Sequence, residues 1–407
     1  MSANCRICKG ARLTKFISLG NHPPPNRFVK KDELNQPEPL CPADLYFCED
    51  CALVQMTDVV PAEVMFRDHP YVSGTTATLS QHFRNVANEL MERFEVPSGA
   101  LVVDIGSNDG TFLKGFAGTT VRTLGVEPAA KIADLARGAG IETLNEFFSA
   151  KVGEQIRAQY GTAKLINAAG VFFHVDNLDD FVLGVQNLLA DDGVFVVQAV
   201  YLVDMIERNS FDNIYHEHVC HYSLKPLDAL FDRFGLQIFD VRRVPIHGGS
   251  IVAYISKKGR FPRTANPDRL IAEEKQKGLH DIKRFVQFAA KAAEIKTDLV
   301  AMLRDLKAKG NRIAAYGAPA KGNTLLNYCQ IGTDILDYAT EKNSLKWGLY
   351  TPGMHIPVIP EQEAWSNPPD YYLMLAWNFL DELLEKEKEF RARGGKFIVP
   401  IPEPRIM

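Results

Sequence analysis

Hydrophobic and polar positions follow a repeating pattern along much of this chain. Between residues 100 and 200, short apolar runs are separated by segments in which apolar residues recur with helical spacing. A similar stretch begins at residues 312–316, after a lysine-rich helical region at residues 271–307. Strands that alternate with helices predict a mostly parallel, doubly wound sheet, which binds ligands at the carboxyl ends of its strands. We therefore predict an α/β protein with two Rossmann-like halves, and a helix over residues 79–94 that leads into the first.

The apolar run at residues 100–103 ends in an acid and then breaks into a polar turn. The turn contains Asp104, Gly106, Ser107, Asn108, Asp109 and Gly110, and Phe112 then restarts a helical pattern. A dinucleotide site would show G-x-G-x-x-G, because a pyrophosphate needs bare backbone at a helix N-terminus. This acidic loop better suits S-adenosylmethionine (SAM), which carries a sulfonium and an ammonium but no phosphate. A phosphate-binding or purely structural glycine turn is the alternative.

The next strand ends point to the same cofactor. The apolar run at residues 121–126 ends in an acid, which is where a ribose diol is held by two hydrogen bonds. The predicted strand at residues 165–168 ends at the same edge of the sheet. Further cofactor contacts predicted from these strand ends are Glu127, Pro128, Asn167, Ala168 and His174. His174 could line the methyl-donor pocket or, equally, could be a core histidine with its hydrogen bonds satisfied.

The first seventy residues contain two C-x-x-C pairs. Each pair can direct two thiolates at one ion, and four thiolates make a closed, structural zinc site. The predicted ligands are Cys5, Cys8, Cys48 and Cys51. Cys41, a fifth thiol in this region, is interpreted as an ordinary buried residue rather than a ligand. A redox function is disfavoured because neither pair follows the βαβ pattern of a thioredoxin.

Composition changes this picture little. The chain has 407 residues and a formal net charge of -4, which gives no support for binding to nucleic acid or to an anionic membrane. Seven cysteines are few for a disulfide scaffold of this length. The sequence shows no apolar run of transmembrane length and no signal-peptide pattern, so we expect a cytoplasmic protein.

The densest cluster of titratable groups lies at residues 213–222, the histidine segment, which holds three histidines, one carboxylate and two tyrosines. A metal site is disfavoured, because His216 and His221 are five positions apart and do not match H-E-x-x-H. Acid–base chemistry fits better, since a Glu beside a His can set its tautomer and a Tyr hydroxyl can donate to a developing oxyanion. A polar surface turn is the alternative.

A second strand, loop and helix follow at residues 312–329. The residues of the loop that we expect to contact a substrate are Gly317, Ala318, Lys321, Gly322, Asn323 and Thr324. Glycine and lysine at a helix N-terminus favour an anion, so the loop is a candidate for the phosphates or the sugar of a nucleotide substrate. It is not a P-loop, because the G-x-x-x-x-G-K-[ST] spacing is absent. The next predicted strand, residues 335–339, leads to the acid Glu341, as a second Rossmann-like strand would.

Five motifs, in this order, closely resemble the SAM-dependent sugar C-methyltransferases that act at C-3 of nucleotide-linked 4-keto-deoxysugars. They are the paired C-x-x-C, VDIGSNDGT at 103–111, YHEH at 215–218, HGGS at 247–250 and YGAPAKGNT at 316–324. The resemblance covers essentially the whole chain. It implies a zinc-binding domain at residues 1–70, a SAM-binding Rossmann-like domain at 71–255 and a second Rossmann-like domain at 256–407, with a dTDP-linked sugar bound between the last two.

The resemblance also implies a site. Tyr71, in the segment HPYVSGT, matches a tyrosine near the methyl donor, and Tyr215, Glu217 and His218 match the catalytic group. His218 is expected to be the base that forms an enolate at C-3, with Glu217 as its orienter. Tyr215 is expected to donate to the C-4 oxyanion; its use as the base is the alternative. Further substrate contacts are expected from Tyr222, His247, Gly248, Gly249, Ser250 and Glu341.

Three departures from the family pattern leave the sugar undetermined. The donor-site segment AAGVFFH at residues 168–174 begins with smaller residues than the Asn-Asn-Val form of the family. Gln198 stands where an acid is common, and Val252 stands where we would expect Arg. An O- or N-methyltransferase of another small molecule, or a non-enzymatic regulator that binds zinc and SAM, are the alternatives. We expect a nucleotide-sugar substrate, no nucleic-acid or membrane partner, and a monomer or weak homodimer.

Overall fold

The computed structural model describes residues 4–67, 74 and 77–407. Tyr71, which the family resemblance places near the methyl donor, lies outside the described residues. Within them the strands form an N-terminal, a central and a C-terminal sheet. No helix in the described part of the chain is both long enough and apolar enough to cross a bilayer.

The N-terminal sheet is antiparallel. Its elements are the strands β1 (Leu13–His22), β2 (Cys41–Cys48) and β3 (Val54–Gln55), followed by the helix α1 (Ala62–Phe66). Buried and more exposed positions alternate along β2, as expected for a strand with one face on a core. β3 also pairs with β9 (Cys220–His221), which belongs to the histidine segment. The histidine segment therefore supplies the last strand of the N-terminal sheet, which the sequence did not predict.

The central sheet is the predicted doubly wound sheet. Its strands are β4 (Leu101–Ile105), β5 (Arg122–Val126), β6 (Thr143–Leu144), β7 (Ala163–Ala169), β8 (Leu189–Val200), β10 (Leu236–Val244) and β11 (Ser250–Lys257). The helices of this part are α2 (Ala77–Arg93), α3 (Ala130–Gly138), α4 (Ala150–Tyr160), α5 (Leu178–Leu188), α6 (Leu202–Glu207) and α7 (Leu224–Asp232). The strand order is β10-β11-β8-β7-β4-β5-β6, with β4 to β8 parallel and β11 antiparallel to both neighbours. The order reverses between β4 and β7, so a ligand is expected outside the carboxyl ends of those strands.

One prediction for this domain was wrong. After the turn at residues 104–110, the chain forms only a short 3-10 helix, Leu113–Phe116, instead of an α-helix. Gly115 packs closely on α2, where an added Cβ would lie 2.6 Å from Ala87 Cβ, and Gly118 has a φ of +81° that ends the helical path. This turn therefore does not lead into a long helix of the kind that binds a pyrophosphate.

The C-terminal sheet is also largely parallel. Its strands are β12 (Ile313–Tyr316), β13 (Ala339–Glu341), β14 (Val358–Pro360), β15 (Tyr371–Met374), β16 (Lys396–Val399) and β17 (Arg405–Ile406), in the order β14-β13-β12-β15-β16-β17. The helices are α8 (Ala265–Gln276), α9 (Ile282–Ala308), α10 (Ala320–Cys329), α11 (Glu361–Ala364), α12 (Leu380–Lys386) and α13 (Lys388–Ala392). The strand predicted at residues 335–339 begins only at residue 339, as β13. Residues 335 and 336 instead form a turn, in which the N–H groups of Ile335 and Leu336 donate to the Gly332 carbonyl.

The long helix α9 joins the N-terminal and C-terminal parts. Its buried residues recur at three- and four-residue intervals and form one apolar stripe. The ring of Phe285 lies 5.1 Å from that of Phe16 and 4.9 Å from that of Phe47, both in the N-terminal sheet. The N-terminal domain thus packs on the C-terminal domain while its sheet includes a strand from the central part of the chain.

Candidate functional site

The four predicted zinc ligands lie together. Their sulfur atoms are all within 4.8 Å of one another, and the closest pairs, each with one thiol from each C-x-x-C, are 3.5 Å apart. Lys9 and Ala52, which directly follow the two pairs, have φ values of 63° and 67°, so each pair ends in a tight turn. Four converging cysteine sulfurs are the donor set of a structural zinc site, with no position left for water.

The turn after β4 depends on two glycines. Gly106 and Gly110 have φ values of +67° and +75°. A Cβ on Gly106 would lie 2.2 Å from Val171 Cγ2, and one on Gly110 would lie 2.9 Å from Ile141 Cγ1. The hydroxyl oxygen of Ser107 is buried in this turn without a hydrogen-bond partner among the described residues. A bound ligand is one way to satisfy such an atom, so the turn fits a cofactor that approaches its backbone closely.

Two buried acids flank the turn. Asp104, which is 4% exposed, accepts a hydrogen bond from Asn167 Nδ2 at 2.7 Å, where the neighbouring strands β4 and β7 end. Burial, and to a smaller extent the charge of Glu127, raise the pKa of Asp104 to about 7. The Glu127 carboxylate accepts backbone N–H bonds from Asn108 at 3.0 Å and from Ala129 at 2.8 Å. Two buried acids in one site favour a cationic ligand such as a sulfonium or an ammonium.

Three other predicted cofactor residues, Asp109, Ala168 and His174, differ in their contacts. Asp109 accepts a hydrogen bond from the Thr111 hydroxyl at 2.5 Å, and Ala168 is fully buried in the sheet. His174 reaches the histidine segment, because its Nδ1 lies 2.5 Å from the carbonyl oxygen of Glu217. A carbonyl oxygen only accepts, so His174 donates from Nδ1. His174 therefore links the region after β7 to the predicted catalytic group.

His218 and Tyr215 lie side by side in the histidine segment. Their ring centroids are 3.9 Å apart and their planes are inclined by 35°. His218 Nδ1 lies 2.9 Å from the carbonyl oxygen of Asn213, so Nδ1 carries the hydrogen and Nε2 keeps its lone pair. Burial lowers the pKa of His218 well below its ordinary value, which keeps the ring neutral at pH 7. The pair combines a neutral imidazole in its base form with a phenol.

Glu217 was predicted to orient His218, and one of its contacts lies outside the histidine segment. Its carboxylate accepts a hydrogen bond from Asn26 Nδ2 of the N-terminal domain at 2.7 Å. The hydrogen-bond partner of His218 Nδ1 is the carbonyl oxygen of Asn213 rather than this carboxylate. Glu217 can still act on His218 through the peptide that joins the two residues.

Among the described residues, His216 and His221 of the histidine segment do not belong to a group that could hold a metal. Within the described residues, the four N-terminal cysteines are the group whose ligand atoms converge as a metal requires, and neither Cys41 nor a histidine belongs to it. His216 donates from Nε2 to the carbonyl oxygen of Cys41 at 2.9 Å. His221 lies in β9, and burial lowers its pKa to about 3. The metal alternative is therefore not supported by the geometry.

Comparisons with known proteins match this architecture along the chain. Three family models fit: "Putative zinc binding domain" at residues 5–66, "Methyltransferase domain" at 79–241 and "C-methyltransferase C-terminal domain" at 245–402. The chain is 35% identical over 409 residues to the C-methyltransferase NovU of Streptomyces niveus, in an alignment that covers 99% of this chain and 96% of that protein. The chain belongs to this C-methyltransferase family. It is a SAM-dependent C-methyltransferase with a zinc-binding N-terminal domain.

Two solved structures resemble part of this C-methyltransferase. Magnesium protoporphyrin IX methyltransferase of Synechocystis, solved with bound SAM, is 14% identical and covers 44% of this chain and 79% of its own, with a TM-score of 0.32. TrmN of Thermus thermophilus is 20% identical and covers 44% of this chain and 53% of its own, with a TM-score of 0.31.

The predicted substrate loop of this C-methyltransferase lies next to the histidine segment. Lys321, in the first turn of α10, has its Nζ 4.5 Å from the ring centre of Trp377. Burial lowers the pKa of Lys321, and the nearby carboxylate of Asp212 opposes the shift. Asp212 in turn accepts a hydrogen bond from Trp377 Nε1 at 2.6 Å. Sequence reasoning missed Asp212 and Trp377, because a single Asp or Trp outside a motif carries no signal.

The HGGS turn, residues 247–250, lies near Lys321. Gly249 has a φ of +123°, and a Cβ there would lie 2.3 Å from Asp204 Cγ, so the turn requires glycine. Ser250 donates from its hydroxyl to the Ile246 carbonyl at 2.9 Å. Burial lowers the pKa of His247 to about 4, and the charge of Lys321 adds to the effect. The charge of Lys321 therefore acts on the imidazole of His247.

Two other predicted substrate contacts already have partners in the protein. Tyr222 is fully buried, and its hydroxyl donates to the Phe172 carbonyl at 3.3 Å. The Glu341 carboxylate accepts N–H bonds from the two residues that follow it and lies 3.2 Å from Lys346 Nζ. A substrate would have to compete with these contacts to engage either side chain.

Proposed function

We propose that this enzyme methylates C-3 of a nucleotide-linked, dTDP-type 4-keto-deoxysugar through an enolate. The observation that carries the proposal is the pair of His218 and Tyr215, whose rings lie 3.9 Å apart. Carbon becomes nucleophilic only after the proton next to a carbonyl is removed, and this requires a base together with a donor to the oxyanion. A neutral imidazole beside a phenol supplies both.

In the proposed mechanism, His218 Nε2 removes the proton from C-3. The resulting imidazolium keeps its Nδ1–H bond to the Asn213 carbonyl, and the neighbouring ring of Tyr215 favours its positive charge. The Tyr215 hydroxyl donates to the oxyanion that develops at C-4. SAM, when bound, supplies an electrophilic methyl group. With SAM held at the turn after β4, C-3 of the enolate would take this methyl, the bond from the methyl to sulfur would break, and S-adenosylhomocysteine would be released.

The nucleotide is proposed to lie at the start of α10. Lys321 stands in the first turn of this helix and forms no ion pair within the described part of the chain. A lysine and a helix N-terminus together favour a diphosphate. We further propose that His247, whose pKa is lowered by burial and by the charge of Lys321, contacts the sugar or its phosphate.

Tyr215 as the base is the alternative assignment of roles. Deuterium exchange at C-3 of the ketosugar, measured by NMR without a methyl donor, distinguishes the two. If His218 is the base, His218→Asn abolishes exchange while Tyr215→Phe only slows it. If Tyr215 is the base, the order is reversed.

The function is tested by incubating the protein with SAM and a panel of dTDP-, GDP- and CDP-linked 4-ketosugars and weighing the products. We expect a gain of one methyl on a ketosugar that resists O-demethylation. Methylation of an alcohol or amine, with none of the ketosugars accepted, would favour the O- or N-methyltransferase alternative and refute the proposal.

A further inference from the structure

A turn of the N-terminal domain reaches into the histidine segment. Residues 24–27 form this turn, which is closed by the Arg27 N–H on the Pro24 carbonyl at 3.0 Å. Pro25 and Asn26 occupy its central positions, and the proline at the first of them presets the backbone. Three buried prolines, Pro23, Pro24 and Pro25, directly precede Asn26. Because the ring of each proline fixes its φ, the backbone that carries the Asn26 side chain is rigid.

This turn is held from two sides. On one side, Asn26 Nδ2 donates to Glu217 Oε1 at 2.7 Å. On the other, Asn323 Nδ2 of α10 donates to the Pro25 carbonyl at 2.7 Å in a fully buried contact. The turn therefore contacts both the predicted catalytic group and the helix whose first residues are proposed to bind the nucleotide.

Glu217 is held at both its side chain and its main chain. Its carboxylate, which belongs to a residue only 5% exposed, accepts the bond from Asn26. Its carbonyl oxygen accepts the bond from His174 Nδ1 at 2.5 Å. An ionised carboxylate can only accept, and a bond to a charged acceptor is stronger than one between neutral groups. Together these two bonds fix the peptide that leads from Glu217 into His218.

We propose that Asn26 is a positioning residue for the methyl-transfer reaction. Its amide keeps the Glu217 carboxylate ionised and in place, and the Glu217–His218 peptide then keeps the imidazole of His218 aligned with Tyr215. The zinc-binding domain thereby contributes to the catalytic geometry in addition to its own stability. The inference rests on the proposed function only in taking His218 and Tyr215 as the reacting groups.

Asn26→Ala, Asn26→Asp and the control Asn21→Ala test this role. Asn21 is an exposed residue of β1, five positions away. Loss of the hydrogen bond to the buried Glu217 carboxylate is expected to lower kcat of Asn26→Ala by about 10- to 100-fold. The KM for SAM should stay unchanged, because the cofactor turn lies elsewhere, and Asn21→Ala should behave as wild type.

The pH profile separates positioning from general destabilisation. In Asn26→Asp, two carboxylates would face each other, and one must take up a proton before it can donate a hydrogen bond as the amide does. We expect the activity of Asn26→Asp relative to wild type to rise as the pH falls from 8 to 6. If Asn26→Ala keeps kcat within twofold of wild type, or if Asn21→Ala shows the same loss, the role of Asn26 is refuted.

The titration of Glu217, measured without substrate, tests this inference independently of the proposed function. With glutamate labelled by 13C at the carboxyl carbon, the NMR signal of Glu217 is identified by its loss in Glu217→Gln. We expect Glu217 to take up a proton at higher pH in Asn26→Ala than in wild type. An unchanged titration overturns the inference even if the enzyme accepts ketosugars. A changed titration supports it even if no ketosugar is methylated.

Discussion

Asp104 is an acid whose surroundings disfavour its charge. It is 4% exposed, and its pKa is raised from 3.8 to about 7, chiefly by burial. Each pH unit between the two values corresponds to about 1.4 kcal/mol, so the full interval is worth about 4 kcal/mol. Because the folded pKa is the higher one, the unfolded chain loses its proton first. The stability of the folded protein therefore decreases as the pH rises from about 4 to about 7 and then levels off.

Asp104→Asn removes this titration and leaves an oxygen that can still accept the bond from Asn167. We expect the SAM-free variant to be more stable than wild type at pH 8, by up to about 4 kcal/mol. Urea unfolding at several pH values measures the difference. The difference in unfolding free energy between Asp104→Asn and wild type should grow by about 2 kcal/mol between pH 5.5 and pH 8.

A stability difference that is the same at every pH would refute this reasoning, because only a titrating group makes the difference depend on pH. Calorimetry with SAM provides a second check. A cationic ligand favours the ionised acid, so SAM should bind wild type more tightly as the pH rises from 6 to 8. The affinity of Asp104→Asn should lack this dependence.

Three further predictions concern separate parts of the molecule. His218→Asn and Tyr215→Phe should each lower kcat by roughly two to four powers of ten in steady-state assays, and near-full turnover in both would show that the roles are misassigned. Gly106→Ala should weaken SAM binding at least about tenfold by calorimetry, because Gly106 has a left-handed backbone and the new Cβ would overlap with Val171. Gly118→Ala, with the same kind of backbone but open space, should bind SAM normally. Zinc chelation should lower the melting temperature and abolish turnover over the same range of chelator concentration. The reason is that β3 of the zinc-binding domain pairs with β9, which belongs to the histidine segment. Full activity after zinc loss would contradict this prediction.

Local features of this protein could be read from its sequence alone. The apolar runs that end in Asp104 and Glu127 predicted strands and a cofactor edge, and four cysteines in two C-x-x-C pairs predicted the zinc cluster. The family resemblance is confirmed as far as C-methyltransferase. These features depend on residues close in the chain, whose spacing and chemistry already determine a strand end or half of a metal site. The helix expected after the turn is only the short 3-10 helix Leu113–Phe116, and Gly118 with its φ of +81° ends the helical path.

The arrangement around His218 was decided by tertiary structure. Asn26 is 191 residues from Glu217, and β3 lies far from β9 in the chain, yet both pairs are in contact. The contact on His218 Nδ1 is a main-chain carbonyl, which every residue carries and no motif reveals. The residue types in the histidine segment therefore indicated acid–base chemistry. The direction of each hydrogen bond depended on which distant elements pack against that segment, because a buried polar group must bond to whatever the fold places beside it.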